Sequence, residues 1–235
     1  MLFERFINAS GYGYGDKIPS SEIKDPSTDT HPGNDMRKSH EPGLSAAILA
    51  GGASSRFGTN KALALLDGVP LVARAAATLA QVSADVFVVA NDPAPYVALG
   101  LRVFADPSPG FGPLSGLDGA LAHARLESVF VTACDMPFVH AALVRELAQA
   151  LGGYEAVMPE SESGVEPLHA VYARSAAPKL RAAMQAGALR LRELPQTLRT
   201  RVLPLAWVKE QTGGLDPFAN ANTPSELARL AARAG

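Results

Sequence analysis

Short apolar runs alternate with helical segments along the chain from residue 44 onward. The run Asp85–Ala90 is apolar after its first residue, which is typical of a central strand buried on both faces. Leu71, Ala75 and Leu79 recur at every fourth position and predict a buried helix face within residues 70–80. Further strands are predicted at 46–48, 101–104, 128–133, 155–159, 166–172 and 202–207, and further helices at 117–124, 139–151 and after 223.

This alternation predicts the fold class. Strands that alternate with helices favour an α/β fold, because parallel neighbours need a crossover connection that a helix usually supplies. We therefore predict a single Rossmann-like α/β domain over residues 44–235, with a mostly parallel central sheet and helices on both faces.

The leading segment, residues 1–43, lacks this alternation. It contains no countable helix or strand period and is rich in glycine, proline, aspartate, serine and threonine. Such a segment buries too little apolar area to offset the entropy lost on ordering. We predict a disordered N-terminal extension, and we take Met36, just before the predicted domain, as the hypothetical start of the native protein.

Composition and charge exclude several classes of protein. The chain has 235 residues, of which 47% are hydrophobic and 19% charged, as in ordinary core-forming proteins. A net charge of −2 argues against a general binder of nucleic acid or membrane surfaces. No apolar run approaches the roughly 18 residues of a membrane helix, and no signal-peptide core is present, so we expect a cytoplasmic protein. The single cysteine, Cys134, excludes an internal disulfide framework and a multi-cysteine metal site.

The first predicted strand leads into Leu49–Lys61, a segment of small residues that carries two cations. Gly51 and Gly52 allow backbone N–H groups to approach an anion closely. Arg56 can bind phosphate through two parallel hydrogen bonds, and Lys61 adds a point charge. The spacing matches neither the Walker A loop nor the Gly-x-Gly-x-x-Gly dinucleotide motif. The residues predict a cradle for a polyphosphate, and the alternative is a flexible turn with two solvated cations.

Polar residues also follow three predicted strands. Asn91, Asp106 and Asp135 each come after a strand, at the sheet edge where open parallel sheets bind ligands. Proteins hold Mg²⁺ with one or two carboxylates plus phosphate oxygens, so Asp135 is the predicted metal ligand. For each of these residues the alternative is ordinary turn or helix-cap chemistry.

The segment at 49–61 reads Leu-Ala-Gly-Gly-x-Ser-x-Arg-Phe-Gly-x-x-Lys and resembles the signature loop of nucleotidyltransferases with a GT-A-like fold. Within that group the chain most resembles the molybdenum cofactor guanylyltransferases. Three further stretches support this: Gly-Pro-Leu-Ser-Gly-Leu at 112–117, Pro-Leu-His-Ala at 167–170 and Asn-Ala-Asn-Thr-Pro at 220–224. The resemblance covers about residues 44–231.

The resemblance implies a reaction and a set of site residues. The reaction is transfer of GMP from GTP to the terminal phosphate of molybdopterin, with Mg²⁺ as cofactor and pyrophosphate as a product. The implied catalytic residues are Arg56, Lys61 and Asp135. The implied GTP-binding residues are Leu49, Ala50, Gly51, Gly52, Lys61, Asn91, Asp106 and Asp135. Residues expected near the second substrate are Glu166, His169, Arg190, Arg192, Asn220 and Asn222. Molybdenum-insertion and molybdoenzyme maturation proteins are the candidate protein partners.

One departure and several alternatives accompany this reading. Many family members have Asp before the lysine, whereas Asn60 precedes Lys61 here, which removes a negative charge beside the phosphates. A CTP-dependent cytidylyltransferase acting on the same cofactor is the first alternative, although its loop usually reads Leu-Ala-Ala-Gly where Gly51 stands here. A sugar-phosphate nucleotidyltransferase and a non-catalytic nucleotide-binding protein are the others.

Overall fold

A computed structural model describes residues 41, 43–51, 60–187, 190–221 and 223–234. The predicted N-terminal extension and Met36 lie outside the described residues, apart from Glu41 and Gly43. The strands are β1 (Leu44–Leu49), β2 (Leu65–Leu66), β3 (Val69–Pro70), β4 (Asp85–Val89), β5 (Arg102–Phe104), β6 (Ser128–Ala133), β7 (Ala156–Ser161), β8 (Gly164–Val165), β9 (His169–Ala173) and β10 (Thr200–Leu203). The α-helices are α1 (Leu71–Leu79), α2 (Pro113–His123), α3 (Ala141–Gln149), α4 (Ala177–Gln185), α5 (Leu194–Thr197), α6 (Leu205–Thr212) and α7 (Pro224–Ala234).

The main sheet has the strand order β10-β7-β9-β6-β1-β4-β5, and β8 pairs with β7. Strand β1 lies parallel to both β4 and β6, β5 is parallel to β4, and β10 is parallel to β7. Strand β9 runs antiparallel between β6 and β7. The parallel pairings confirm the predicted α/β fold, and β9 is an antiparallel insertion that the sequence pattern did not reveal.

Strand β1 shows why the apolar runs do not alternate with polar residues. Ala46 and Ile48 pack into a hydrophobic cluster that includes residues of α1 and α3. Ala47 and Leu49 pack into a second cluster that includes residues of α2 and α4. Both faces of the strand are therefore covered by helices, as predicted. Burial of each leucine or isoleucine side chain stabilises the folded state by about 1.5–3 kcal/mol.

Several predicted elements differ from the structure in their bounds. The strand predicted at 166–172 begins at His169, and the helix predicted at 139–151 spans Ala141–Gln149. The predicted strand 202–207 is wrong beyond Leu203, because α6 begins at Leu205 and includes Trp207. A short apolar run fits either a strand or a helix, so the sequence could not separate the two. The helix predicted at 117–124 begins earlier, at Pro113, directly after Gly112 with a φ of 59°.

The C-terminal helix covers a separate hairpin formed by β2 and β3. Leu227 and Leu230 of α7 are buried in one cluster with Leu66 and Leu71. In the described part of the chain, none of the helices has the length and apolar character needed to cross a membrane.

Candidate active site

The carboxyl ends of the central parallel strands open into a cavity of about 550 Å³. Ala50 follows β1, Asn91 follows β4 and Asp135 follows β6, so neighbouring strands deliver these residues to the same edge. The lining residues that the sequence predicted for GTP binding are Leu49, Ala50, Gly51, Lys61, Asn91, Asp106 and Asp135. The predicted residues Gly52 and Arg56 lie outside the described residues.

Main-chain hydrogen bonds continue the sheet just past the strand ends. The N–H of Ala50 donates to the carbonyl of Val89 at 2.9 Å, and the N–H of Cys134 donates to the carbonyl of Leu49 at 3.0 Å. These bonds fix the residues that precede Gly51 and Asp135 relative to each other. The two predicted motifs are therefore held on one side of the molecule.

Lys61 and Asp135 form an ion pair inside this cavity. The Lys61 Nζ lies 2.7 Å from the Asp135 Oδ2, and the two side chains are only 15% and 23% exposed. Lys61 begins a short 3₁₀ helix, Lys61–Leu63, whose first turn is capped by the side chain of Asn60. Partial burial limits screening by water and salt, so the attraction between these two charges is stronger than it would be on the protein surface.

Asn91 and Asp106 join two neighbouring strand ends. The N–H of Asp106 donates to Asn91 Oδ1 at 3.3 Å. Partial burial raises the pKa of the Asp106 carboxyl, although a hydrogen bond from Asn91 opposes that effect. Their side chains face the same cavity as Lys61 and Asp135.

The segment before α2 forms another wall of the cavity. Gly110 and Gly112 adopt positive φ values of 100° and 59°, and the N–H of Phe111 donates to Ser115 Oγ at 3.0 Å. A methyl group added to Gly116 would lie 3.1 Å from a side-chain carbon of Leu49, so α2 starts tightly against the end of β1. The N-terminus of a helix favours anions, which suits a site for phosphates.

Cys134 lines the cavity but is not set up as a nucleophile. Burial, with the nearby Asp135 carboxylate adding to it, raises the pKa of its thiol to about 12. The reactive thiolate is therefore scarce at neutral pH. Within the described ranges, no three His, Cys, Asp or Glu side chains group together as ligands for a metal ion.

Two of the residues predicted near the second substrate contact the hairpin formed by β7 and β8. Glu166 accepts a hydrogen bond from Ser161 Oγ at 2.5 Å, and burial raises the pKa of its carboxyl. Arg192 donates to the carbonyl of Ser163 at 3.3 Å. Arg190 lies at the start of the 3₁₀ helix Leu191–Glu193, where its N–H donates to Glu193 Oε2.

The structure does not place His169 at a substrate surface. Its ring is fully buried in edge contacts with Phe130 and Phe218, at centroid distances of 5.0 and 5.4 Å. Burial lowers the pKa of the imidazole to about 3, so it stays neutral. His169 is therefore a core residue. The resemblance led us to expect it near the second substrate, but it packs against aromatic side chains instead.

The C-terminal motif comes close to Asp135. Asn220 is exposed, and the N–H of the next residue, Ala221, donates to the carbonyl of Asp135 at 3.1 Å. Asn222 lies outside the described residues.

Sequence reasoning missed Tyr96, whose hydroxyl lies between the two ends of the Leu49–Lys61 segment. Tyr96 belongs to the 3₁₀ helix Ala94–Leu99 and is 1% exposed. The available signal was Pro93 followed by Tyr96 and Leu99 at a helical spacing, which indicates a short helix with a buried face.

The profile of the MobA-like NTP transferase domain matches residues 46–201. The chain belongs to the MobA-like NTP transferase family. It is 34% identical over 199 residues to the molybdenum cofactor guanylyltransferase of Desulfosudis oleivorans, with 82% of this chain and 97% of that protein covered. A probable molybdenum cofactor guanylyltransferase of Deinococcus radiodurans is 36% identical, with 81% and 95% covered.

Solved structures agree with this family assignment. The molybdopterin-guanine dinucleotide biosynthesis protein A of Archaeoglobus fulgidus matches with a TM-score of 0.70 and 28% identity, covering 81% of this chain and 98% of that one. A CMP:2-keto-3-deoxy-manno-octonic acid synthetase matches at 14% identity with a TM-score of 0.63, which shows a shared fold. This chain therefore shares its fold with a synthetase of distant sequence.

Proposed function

We propose that this chain transfers GMP from GTP to the terminal phosphate of molybdopterin and releases pyrophosphate. The names of its relatives in Desulfosudis oleivorans and Deinococcus radiodurans support guanylyl transfer in molybdenum cofactor synthesis. The observation that carries the proposal is the Lys61–Asp135 pair, which lies in the cavity that Gly51 also lines. A cation, a carboxylate and main-chain donors then surround a single triphosphate.

The chemistry requires little from side chains. A phosphate oxygen of molybdopterin, already ionised at neutral pH, attacks the α-phosphorus of GTP. A new phosphorus–oxygen bond forms, the bond to the β-phosphate oxygen breaks, and pyrophosphate leaves with that electron pair. No general base or covalent intermediate is needed, so the protonated Cys134 and the buried His169 are not required to react.

Catalysis in this proposal comes from position and charge. Lys61 neutralises charge on the triphosphate and on the leaving pyrophosphate. The main chain at Ala50 and Gly51 and the start of α2 hold the phosphates so that attack occurs in line. Asn91 and Asp106, which face the same cavity, are proposed to contact the nucleoside. Arg56 remains a predicted catalytic residue.

The residues at the cavity fit Mg²⁺. Asp135 offers one partly exposed carboxylate, and no cluster of three potential ligands surrounds it among the described residues. Mg²⁺ in nucleotide sites is normally held by one or two carboxylates, phosphate oxygens and water, so a single acid is enough. When bound on Asp135, the ion would supply further positive charge beside the phosphates.

We place molybdopterin on the side of the cavity nearest Asn220, because the adjacent Ala221 contacts the main chain of Asp135. Glu166, Arg190 and Arg192 stay candidates for contacts with the pterin or its phosphate. The cytoplasmic location and the maturation partners remain predictions.

Pyrophosphate release measured with purified protein, molybdopterin and Mg²⁺ tests this function. We expect release with GTP and a product heavier than molybdopterin by one GMP unit in mass spectrometry. Faster turnover with CTP would instead identify a cytidylyltransferase, and turnover only with sugar phosphates would identify a sugar-phosphate nucleotidyltransferase. Tight GTP binding without release under any of these conditions would indicate a non-catalytic nucleotide-binding protein.

A further inference from the structure

Tyr96 lies beneath the cavity and connects two residues that are ten positions apart in the chain. Its hydroxyl is within 3.3 Å of the carbonyl oxygen of Ala50 and within 3.2 Å of the Asn60 Nδ2. Ala50 and Asn60 both line the cavity, and they flank Gly52–Thr59 in sequence. The tyrosine itself is 1% exposed, so substrate does not reach it directly.

The hydrogen bonds around Tyr96 form one consistent chain of donors and acceptors. The N–H of Ala62 donates to Asn60 Oδ1 at 3.1 Å, which leaves the Asn60 Nδ2 to donate to the Tyr96 oxygen. The Tyr96 hydroxyl then donates to the Ala50 carbonyl. The hydroxyl carries one proton and its approach to Asn60 Oδ1 is longer, at 3.4 Å, so we assign that proton to the Ala50 carbonyl.

We propose that Tyr96, together with Asn60, is a positioning residue. It sets the geometry of the triphosphate cradle, by which we mean the Gly51 N–H and the Lys61 ammonium group. The Ala50 carbonyl and the Gly51 N–H belong to the same planar peptide unit and point in opposite directions. A hydrogen bond that holds the Ala50 oxygen therefore also fixes the direction of the Gly51 N–H. Glycine offers little resistance to rotation of this unit, so an external restraint matters here.

The same contact reaches the cation of the site. Asn60 caps the 3₁₀ helix that starts at Lys61, and Tyr96 holds the Asn60 side chain in the capping position. One hydroxyl thus restrains both a main-chain donor and the lysine. Burial raises the pKa of the Tyr96 hydroxyl, so the proton needed for donation to Ala50 is retained at neutral pH.

This arrangement explains why asparagine can replace the aspartate that the family resemblance leads one to expect before the lysine. An ionised carboxylate only accepts hydrogen bonds. With Asp at position 60, the Tyr96 hydroxyl would donate to that carboxylate, and the Ala50 carbonyl would lose its donor. With Asn60, a single hydroxyl serves both ends of the segment.

The experiment uses Tyr96→Phe, which removes one oxygen atom and keeps the ring. The probes are inorganic triphosphate with Mg²⁺ in calorimetry and GTP with molybdopterin in steady-state kinetics. We expect about tenfold weaker triphosphate binding and about tenfold higher KM for GTP, with the KM for molybdopterin unchanged. Hydrogen exchange should also become faster in peptides that cover residues 47–64.

Tyr154→Phe is the matched control. Tyr154 is 40% exposed and lies just before β7, at the opposite end of the sheet, so we expect wild-type values in every assay. A general loss of stability would lower the apparent kcat by reducing the folded fraction, leave both KM values unchanged and accelerate exchange throughout the chain, and this outcome would overturn the positioning role. Wild-type binding of triphosphate by Tyr96→Phe would overturn it as well.

Asn60→Ala provides a second variant, which removes the side-chain amide and adds no charge beside the phosphates. We expect it to weaken triphosphate binding. The loss in the double variant with Tyr96→Phe should be smaller than the sum of the two single losses, because the contact between Tyr96 and Asn60 is lost only once. Additive losses in the double variant would contradict the inference.

The inference rests on the proposed function, but the experiment distinguishes failure of the inference from failure of that function. If the wild type binds triphosphate but transfers no GMP, guanylyl transfer is wrong while the calorimetric comparison still decides the role of Tyr96. If the wild type binds no triphosphate, there is no cradle to position and the inference is wrong.

Discussion

The Nζ of Lys61 lies 2.7 Å from the Oδ2 of Asp135, although 74 positions separate the two residues in the chain. One residue ends the segment that follows β1, and the other follows β6, the neighbour of β1 in the sheet. The contact joins the two sequence motifs on which the functional prediction depends. If the two motifs had lain on opposite faces of the molecule, the functional prediction would have been wrong.

Replacing Lys61 by methionine should lower kcat/KM for GTP by about 10²–10³-fold, because a preorganised charge on the developing pyrophosphate is lost. The change keeps most of the side-chain volume, so circular dichroism should be unchanged. Lys179→Met is the matched control, since Lys179 is 54% exposed and pairs with Glu155 away from the cavity. Loss of activity in the control, or its retention in Lys61→Met, would contradict a catalytic lysine.

Replacing Asp135 by alanine should abolish turnover and leave the fold intact, because the expected magnesium ligand is removed. The measurement is pyrophosphate release over a titration of Mg²⁺. Glu210→Ala, an exposed acid on α6, should titrate like the wild type. Turnover by Asp135→Ala that matches the wild type at saturating Mg²⁺ would refute the metal role.

Gly119→Ala should reduce the free energy of unfolding by about 1–2 kcal/mol, as expected for an overpacked core. A methyl group there would lie 2.8 Å from a Val89 side-chain carbon and 3.4 Å from Asp106 Oδ1, so β4 and the cavity wall must shift. Gly153→Ala is the control, because its nearest neighbour is 3.9 Å away. Urea denaturation gives both values, and equal midpoints for the two variants would show that α2 packs less tightly than the distances indicate.

The buried His169 should make stability depend on pH. The unfolded imidazole takes up a proton near pH 6.5, whereas the folded one resists protonation down to about pH 3. The unfolded state therefore binds more protons between these values, and the free energy of unfolding should fall as the pH is lowered through this window. The contribution approaches about 1.4 kcal/mol per pH unit at its steepest.

His169→Leu isolates that contribution. Its free energy of unfolding should fall less steeply between pH 6.5 and pH 5 than that of the wild type, whatever its absolute stability. His140, whose pKa is also lowered by burial, stays present in both proteins and so cancels in the comparison. Identical slopes would mean that His169 becomes protonated in the folded protein.

The sequence was sufficient for the features that depend on local pattern. Buried parallel strands appear as unbroken apolar runs, and a polar residue directly after such a run must lie at the ligand-binding edge of the sheet. For this reason the sequence pattern correctly predicted that Asn91, Asp106 and Asp135 lie at one cavity.

The features that escaped prediction depend on contacts between distant segments. The direction of β9 is set by its neighbours β6 and β7, and the burial of His169 is set by Phe130 and Phe218. Tyr96 resembled any apolar helix residue, since its role depends on where Ala50 and Asn60 come together. No local periodicity encodes such relationships.

The match to the MobA-like profile ends at residue 201, but main-chain contact with the site continues beyond it. The Ala221 N–H holds the Asp135 carbonyl, and the helix that follows covers Leu66 and Leu71. A minimal enzyme trimmed to the matched residues would therefore lose the main-chain hydrogen bond that holds Asp135. The tail of the chain should be retained in any shortened version, and a purification tag is better attached elsewhere.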